Sequence, residues 1–168
     1  DAGSDDWFGQ SVAVGGDTVV VGAPRKRAGD DYASGAAYVF VHSGGFWAQQ
    51  SELILNDGAA WDQFGSSVAL SGDTALIGAP GKSVGANDAQ GAAYVFVRSG
   101  GVWTQQAQVV ASDGGLWDQF GSSVALSSDT ALVGAPQHVV VTRNFNGPAG
   151  AAYVFVRTSD VWTQQASL

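Results

Sequence analysis

The chain of 168 residues contains no cysteine and no methionine, and only 13% of its residues are charged. Without cysteine, neither a disulfide framework nor a cysteine-based zinc site can form. No apolar run approaches the roughly 20 residues that span a bilayer, and the first residues have neither the positive nor the apolar segment of a secretion signal. We therefore expect a soluble chain with no membrane insertion which, if secreted, has already been processed.

Basic residues and prolines are scarce as well. The chain has 7 Lys and Arg against 15 Asp and Glu, which gives a net charge of -8 and an isoelectric point near 4.3. Nucleic-acid phosphates require a basic surface, so this balance argues against a nucleic-acid partner. The 4 prolines and 24 glycines punctuate short apolar runs, and no segment shows helical periodicity. This composition predicts an all-β fold.

What the chain does have is a long internal repeat. The Phe-Gly pair recurs at a step of 56 residues, at Phe8-Gly9, Phe64-Gly65 and Phe120-Gly121. The tyrosine of Ala-Ala-Tyr-Val-Phe recurs at Tyr38, Tyr94 and Tyr153. The longer last step places a three-residue insertion in the third copy. A period of this size indicates supersecondary units that must stack on one another, here residues 1–56, 57–112 and 113–168.

Each unit reads as four short strands. In the second unit they are predicted at residues 67–70, 74–78, 92–97 and 102–110, and the fourth strand of the first unit at residues 46–55. A tight turn joins the first two strands, and the proline of Gly-Ala-Pro ends the second because proline cannot donate to the ladder. Four-stranded antiparallel meanders repeated about an axis form the blades of a β-propeller.

The Phe-Gly, Gly-Ala-Pro and Tyr-Val-Phe motifs, in this order and spacing, resemble the FG-GAP repeat of integrin α-subunit heads and of secreted bacterial and archaeal proteins. The resemblance covers residues 8–168 and is closest to the prokaryotic version. It implies a β-propeller used outside the cell for adhesion or recognition. The residues that carry the repeat are expected to be structural: Phe8, Gly9, Pro24, Tyr38, Phe64, Gly65, Pro80, Tyr94, Phe120, Gly121, Pro136 and Tyr153.

The calcium site of the family is not expected here. Calcium-binding members carry an acidic loop between the first and second strands, whereas this chain has only a turn with Asp17, Asp73 or Asp129. Calcium takes about six to eight oxygen ligands, which one carboxylate in a tight turn cannot supply. We predict no metal and no cofactor.

The links between units contain the most distinctive candidate ligand-binding residues. Trp61-Asp62 and Trp117-Asp118 recur at the same position, and an aromatic ring beside a carboxylate is a common way to hold a sugar. In the alternative interpretation, the tryptophans wedge between blades and the aspartates cap turns. The first unit has Asp5 where the others have tryptophan.

The loops between the second and third strands differ most among the units and lie on the same propeller face as the links. Loops on a rigid scaffold often set binding specificity, so Arg25, Tyr32 and Phe145 are further candidates. The third loop also carries the apolar run 139–141, which is either an exposed contact surface or a locally packed extra strand. The basic run 25–27 could meet an anionic partner or be a solvated loop tip.

The sequence contains few of the residue patterns that indicate an enzyme. His42 and His138 occupy repeat positions unrelated to each other, no nucleophile elbow is present, and carboxylates such as Asp57 recur before glycine as turn residues do. The leading prediction is therefore a non-enzymatic extracellular module, located at the cell surface or secreted, that acts through protein contacts in adhesion, recognition or self-assembly. A lectin-like glycan-binding propeller is the alternative, and a carbohydrate-active enzyme a distant third.

Three blades leave two sheet faces without a partner in the chain. Trp47, Trp103 and Trp162 share one position on the fourth strand and are expected to pack between blades, while the Gln-Gln pairs after them are expected to satisfy backbone groups at the outer edge. Propellers close with about four to eight blades. We expect half of a six-bladed ring, completed by a homodimer or by neighbouring blades of a longer chain. The alternative is a contact that does not close and forms a filament.

Overall fold

The computed structural model describes residues 3–27, 31–141 and 146–168, and over these ranges the chain consists of β-strands, turns and irregular links. Three four-stranded antiparallel sheets follow one another along the chain. The prediction of an all-β fold made of three four-stranded meanders is thereby confirmed. No helix capable of crossing a membrane occurs in the described part of the chain.

Each sheet is one blade. Blade 1 contains β1 (Ser11–Gly15), β2 (Thr18–Ala23), β3 (Ala36–Ser43) and β4 (Phe46–Leu53). Blade 2 contains β5 (Ser67–Ser71), β6 (Thr74–Ala79), β7 (Ala92–Ser99) and β8 (Val102–Val109). Blade 3 contains β9 (Ser123–Ser127), β10 (Thr130–Ala135), β13 (Ala151–Thr158) and β14 (Val161–Ser167), with a separate hairpin of β11 (Val139–Val141) and β12 (Asn146–Pro148) inserted before β13.

The strands form where the sequence favours extended chain between glycine-rich turns. β6 is buried along its whole length, which agrees with its continuous apolar run. The turn after the first strand of each blade needs a positive φ, which Gly16 and Gly72 adopt at 57°. Blade 3 has Ser128 there at 51°, so a serine is held in a conformation that glycine adopts at lower cost.

Every blade has the same irregularity between its third and fourth strands. The pairing shifts after Val39, Val95 and Val154, at equivalent positions. A bulge of this kind bends one strand and increases the local twist. The fourth strand of blade 1 also ends at Leu53 rather than at residue 55, because the chain turns there and the Gly58 N–H donates to the Leu55 carbonyl at 3.4 Å.

The apolar core lies between neighbouring sheets. One cluster joins Val39 of blade 1 to Tyr94 of blade 2, and a second joins Val95 of blade 2 to Tyr153 of blade 3. Residues on opposite faces of one sheet therefore belong to different clusters. These two clusters bury apolar side chains of one blade against its neighbour, as expected of a repeat architecture, while a smaller third cluster of Ala23, Ala36 and Tyr38 lies within blade 1.

All three repeated tyrosines are buried, Tyr94 and Tyr153 in the two clusters between blades and Tyr38 in the smaller cluster of blade 1. Burial raises the pKa of Tyr38, Tyr94 and Tyr153 above the ordinary value, and a hydrogen bond to Glu52 raises that of Tyr38 further. The Tyr38 hydroxyl donates to Glu52 Oε1 at 3.0 Å, while Gln108 Nε2 donates to the Tyr94 hydroxyl at 3.2 Å. All three phenols are therefore held in the neutral form.

The tryptophans of the fourth strand pack between blades wherever a preceding blade exists. Trp103 and Trp162 are buried, and their indole N–H groups donate to Gln50 Oε1 at 2.9 Å and Gln106 Oε1 at 3.0 Å on the preceding blade. The prediction for Trp47 was wrong in this chain, because no sheet covers it and it is exposed. The predicted role of the glutamines holds for Gln164, which accepts from the Ser112 N–H at 3.0 Å, whereas Gln50 and Gln106 accept from indole N–H groups instead of backbone.

Candidate functional site

The link that enters each blade runs beside the loop of the blade before it. The N–H groups of Trp61, Gln63 and Phe64 donate to the carbonyls of residues 32–34 at 2.9 to 3.0 Å. The same three bonds, at 2.9 to 3.1 Å, join residues 117, 119 and 120 to residues 88–90. Links and loops therefore form one continuous surface on one face of the blades, which we call the loop face.

The aspartates of the links lie beneath this surface. Asp62 and Asp118 are 3% and 2% exposed, and their carboxylates accept from the N–H groups of Ala59 at 2.9 Å and Gly115 at 2.7 Å. Asp6 accepts from the Gly3 N–H at 2.7 Å in the same way. Each carboxylate thus closes a local turn, which is the role that the alternative interpretation assigned to it.

A side chain from the loop of the same blade adds a further contact to each aspartate. Lys82 Nζ lies 3.0 Å from Asp62 Oδ2, and His138 Nδ1 lies 2.7 Å from Asp118 Oδ2. Lys26 Nζ lies 3.7 Å from Asp6 Oδ2 in blade 1. His138 does lie at a repeat position different from that of His42, as predicted, but its correspondence to Lys82 was missed. It lies 56 residues after Lys82, and that spacing was a signal that could have revealed the shared role.

The tryptophans of the links, unlike the buried aspartates beside them, point toward solvent. Trp61 and Trp117 are 56% and 62% exposed, so they do not wedge between blades. Both have a positive φ, 71° and 63°, as do Gln63 at 57° and Gln119 at 56°. Non-glycine residues adopt this conformation at a cost and keep it only where the surroundings enforce it. The backbone bonds and the buried aspartate enforce it here, and they hold both indoles at the surface.

Trp61 and Trp117 border one cleft of about 650 Å³ on the loop face. Its lining is mainly neutral and polar, with the amides of Gln63 and Gln119 and the hydroxyls of Ser66 and Ser122. Asp88 is the one charged residue among the described residues that line it. The buried Asp62 and Asp118 do not line this cleft. Of the predicted pairs, only the tryptophans can contact a ligand held there.

The other predicted residues lie around this surface. The Tyr32 ring packs against Trp61 with centroids 4.8 Å apart, and the Arg25 guanidinium lies 3.5 Å from the centroid of the Trp7 ring. Phe145 lies outside the described residues. The apolar run of the third loop forms β11 of the extra hairpin, so that local strand explains its composition. Val139 nevertheless remains exposed.

The other histidine and the carboxylates of the turns are held in local ion pairs or exposed. His42 lies 3.9 Å from the exposed Asp17, at the repeat position that Arg98 and Arg157 occupy in the other blades. No group of three His, Cys, Asp or Glu side chains in the described ranges could hold a metal ion. In the turn after the first strand, Asp73 accepts from Arg98 Nε at 2.6 Å and Asp129 from Arg157 Nε at 2.7 Å.

Comparison with known proteins agrees with the fold and with the spacing of these links. The FG-GAP repeat family matches residues 1–40, 47–96 and 103–155. The chain belongs to the FG-GAP repeat family. Within this FG-GAP chain, the second and third matched segments each begin in the fourth strand of one blade and end in the third strand of the next. The buried Phe64 and Phe120 of the motif lie at the junctions between blades.

Integrin α subunits are among the relatives of this FG-GAP chain. It is 35% identical to Integrin alpha-7 of Rattus norvegicus over 126 residues, which are 70% of this chain and 11% of that protein. It is also 35% identical to Integrin alpha-6 of Gallus gallus over 132 residues, 73% of this chain and 12% of that protein. The chain therefore spans about a tenth of the length of these relatives.

Proposed function

We propose that this chain is a non-enzymatic extracellular recognition module that acts by contact with other proteins through its loop face. The observation that carries the proposal is the pair of indoles at Trp61 and Trp117, exposed on either side of one cleft by a strained backbone. Exposed aromatic side chains on a rigid scaffold are typical anchors of protein interfaces. The similarity to integrin α subunits supports an adhesive and extracellular role.

The geometry favours recognition over internal stability as the role of these tryptophans. A structural tryptophan in this fold is buried between sheets, as Trp103 and Trp162 are. Trp61 and Trp117 instead leave most of their surface in water, where each gains little from folding. Their two-angle side chains are already oriented by the backbone, so a ligand that packs on them orders few additional torsions.

The test is binding to a panel of immobilised extracellular matrix proteins, measured with the wild type, Trp117→Ala and the control Val102→Ala. Val102 is an equally exposed apolar residue at the hairpin of blade 2, away from the cleft. We expect at least one matrix protein to bind with an affinity that Trp117→Ala lowers about 30-fold or more, the size of a hot-spot loss, and Val102→Ala leaves unchanged. Equal effects of both substitutions, or no binding, would contradict the proposal.

Glycan binding is the second candidate, and the lining of the cleft is the observation that favours it. Two indoles can stack on the apolar faces of sugar rings, while Gln63, Gln119 and Ser66 supply neutral hydrogen-bonding groups. The carboxylates of Asp62 and Asp118 take no part, because they hold the turns. A glycan array probed with the wild type and Trp117→Ala separates the candidates. A sugar signal lost in the variant supports the lectin, and silence across the array excludes it.

A further inference from the structure

Among the residues that the structure describes, each of the two end sheets has one face that no other sheet covers. We call the face that a blade turns toward the preceding blade its leading face, and the opposite one its trailing face. On the leading face of blade 1, Val12 is 70% exposed, whereas the equivalent Val68 of blade 2 is 9% exposed. Trp47 is 52% exposed, whereas the equivalent Trp103 is 8% exposed. The valine and the tryptophan that are core in blade 2 are therefore exposed to water in blade 1, although Tyr38 on the same face is buried and packs against Phe8.

The trailing face of blade 3 shows the same contrast. Leu132 is 39% exposed, whereas the equivalent Leu76 of blade 2 is completely buried. Val154 is half-buried, although the equivalent Val95 is buried. Contiguous apolar sheet surface of this kind usually marks an interface.

The two interfaces inside the chain, between blades 1 and 2 and between blades 2 and 3, show how such faces are covered. A serine on the trailing face donates to a glycine carbonyl of the following blade, from Ser11 to Gly65 at 2.8 Å and from Ser67 to Gly121 at 2.7 Å. A tryptophan on the leading face donates to a glutamine of the preceding blade, as described for Trp103 and Trp162. These hydrogen bonds set the register of one blade against the next.

Two further contacts repeat in the same way. A glycine before the third strand forms a parallel backbone bridge with the phenylalanine of the next blade, at Gly35 with Phe64 and at Gly91 with Phe120. An arginine of the following blade donates to a threonine, from Arg98 to Thr18 at 3.0 Å and from Arg157 to Thr74 at 3.3 Å. Together, these contacts define an interface in which the trailing face of one blade always packs against the leading face of the following blade.

Each open face carries its half of this set. The trailing face of blade 3 has the serine, threonine, glycine and glutamine of the set, at Ser123, Thr130, Gly150 and Gln165. The leading face of blade 1 has the phenylalanine, glycine and tryptophan, at Phe8, Gly9 and Trp47, with His42 in place of the arginine. None of these eight residues is acidic.

We propose that the leading face of blade 1 binds the trailing face of blade 3 in a second copy of this chain. Trp47 then donates to Gln165 of the other copy, and Ser123 donates to the Gly9 carbonyl of the other copy. A surface of unrelated chemistry would leave these donors and acceptors without partners, whereas the chain's own opposite face has them at the required spacing. With about 60° for each of six blades, two such contacts close a twofold ring, within the range of known propellers.

Light scattering and sedimentation of the 168-residue chain test the proposal. The expected mass is twice the monomer's 17.1 kDa, independent of concentration in the micromolar range. A stable monomer at these concentrations would overturn the proposal. A mass that grows without limit with concentration would overturn closure into a ring.

Two variants each block one face without disturbing the folded monomer. Val12→Asp places a charge on the leading face, at a position that is open to water in the single chain. Gly134→Ala acts on the trailing face: its new Cβ would meet only the rotatable Ser123 hydroxyl, at 2.4 Å. At the internal interface, a Cβ on the equivalent Gly78 would lie 1.9 Å from the Gly121 carbonyl oxygen. Each variant should weaken association about 100-fold or more.

The control is Val102→Asp, which introduces the same charge at an exposed valine of blade 2 that lies on neither open face. It should remain dimeric. An equimolar mixture of Val12→Asp and Gly134→Ala keeps one intact face on each chain, so it should form a heterodimer through a single contact while each variant alone stays monomeric. Two outcomes would overturn the head-to-tail arrangement. In one, the mixture forms no heterodimer at concentrations up to about millimolar. In the other, either single variant forms a dimer as stable as that of the wild type.

Discussion

The buried Lys82–Asp62 pair should be a large local contributor to the stability of the loop face. Lys82 Nζ lies 3.0 Å from Asp62 Oδ2 and 3.2 Å from Asp57 Oδ2, and it donates to the Asp57 carbonyl at 2.6 Å. Lys82→Met keeps the apolar stem of the side chain and removes the ammonium. Asp62 would then stay buried with the Ala59 N–H as its remaining partner among these groups.

The magnitude follows from burial. Removing one member of a buried ion pair costs about 3 to 5 kcal/mol, because the other charge is left uncompensated. The bond from Ala59 keeps the expected cost near the lower end, and Asp57 adds little because its side chain is exposed. A loss of about 3 kcal/mol corresponds to a melting temperature lower by about 6 to 12 °C for a domain of this size.

Urea unfolding of the wild type, Lys82→Met and Asp73→Asn measures the effect. Asp73 pairs with Arg98 but is exposed, so its substitution should change the free energy of unfolding by less than about 1 kcal/mol. In the double variant Lys82→Met with Asp62→Asn, much of the lost stability should return, because no charge is left buried. If Lys82→Met costs no more than Asp73→Asn, the argument that this buried pair holds the link in place is refuted.

Three further predictions concern the blades. Gly78→Ala should lower the free energy of unfolding, measured by urea unfolding, by about 2 to 4 kcal/mol, because its new Cβ would lie 1.9 Å from the Gly121 carbonyl oxygen and push blades 2 and 3 apart. A loss of less than about 1 kcal/mol would contradict this. The free energy of unfolding should fall as the pH rises above about 10, the ordinary tyrosine pKa. The tyrosines ionise there in the unfolded state, whereas burial raises the pKa of Tyr94 in the folded state and keeps it protonated, so rising pH favours the unfolded state. Tyr94→Phe should flatten this slope in unfolding titrations from about pH 8 to 11, and an unchanged slope would count against burial as its cause. Millimolar calcium should leave the melting temperature within a few degrees of that in chelator, because the turn carboxylates of Asp73 and Asp129 bind arginine; a rise of about ten degrees would show that calcium binds after all.

The strands and their grouping into blades could be predicted because the repeat encodes them locally. Apolar runs, glycine turns and the proline after the second strand recur at fixed steps, so one blade predicts the others. The bulge after Val95 was not predictable in this way, since the residues around it form an uninterrupted apolar run. Its position depends on how the third strand meets the fourth, a pairing that no short sequence window describes.

The candidate site shows where local pattern stops being informative. Trp61 and Asp62 are adjacent in sequence and recur together, yet one side chain faces water and the other is buried. This difference in exposure arises from the positive φ of Trp61 and from the hydrogen bond that Lys82, twenty residues further along the chain, donates to Asp62. Exposure of Trp47 likewise follows from the number of blades rather than from its own surroundings in sequence, which match those of Trp103.

The contacts between blades have an evolutionary consequence. Because the serine, tryptophan, glycine and arginine contacts described above recur at the same repeat positions in both interfaces, duplication or loss of a whole unit recreates an interface that already works. The array can therefore change its length in steps of one unit without inventing new packing. Within the loop before the third strand, the repeated contacts use the last residues, 32–35 and 88–91. The third unit has three extra residues in this loop, and its strands kept the pairing of the other two. Mutation can thus diversify the loop face while the scaffold stays under a separate constraint.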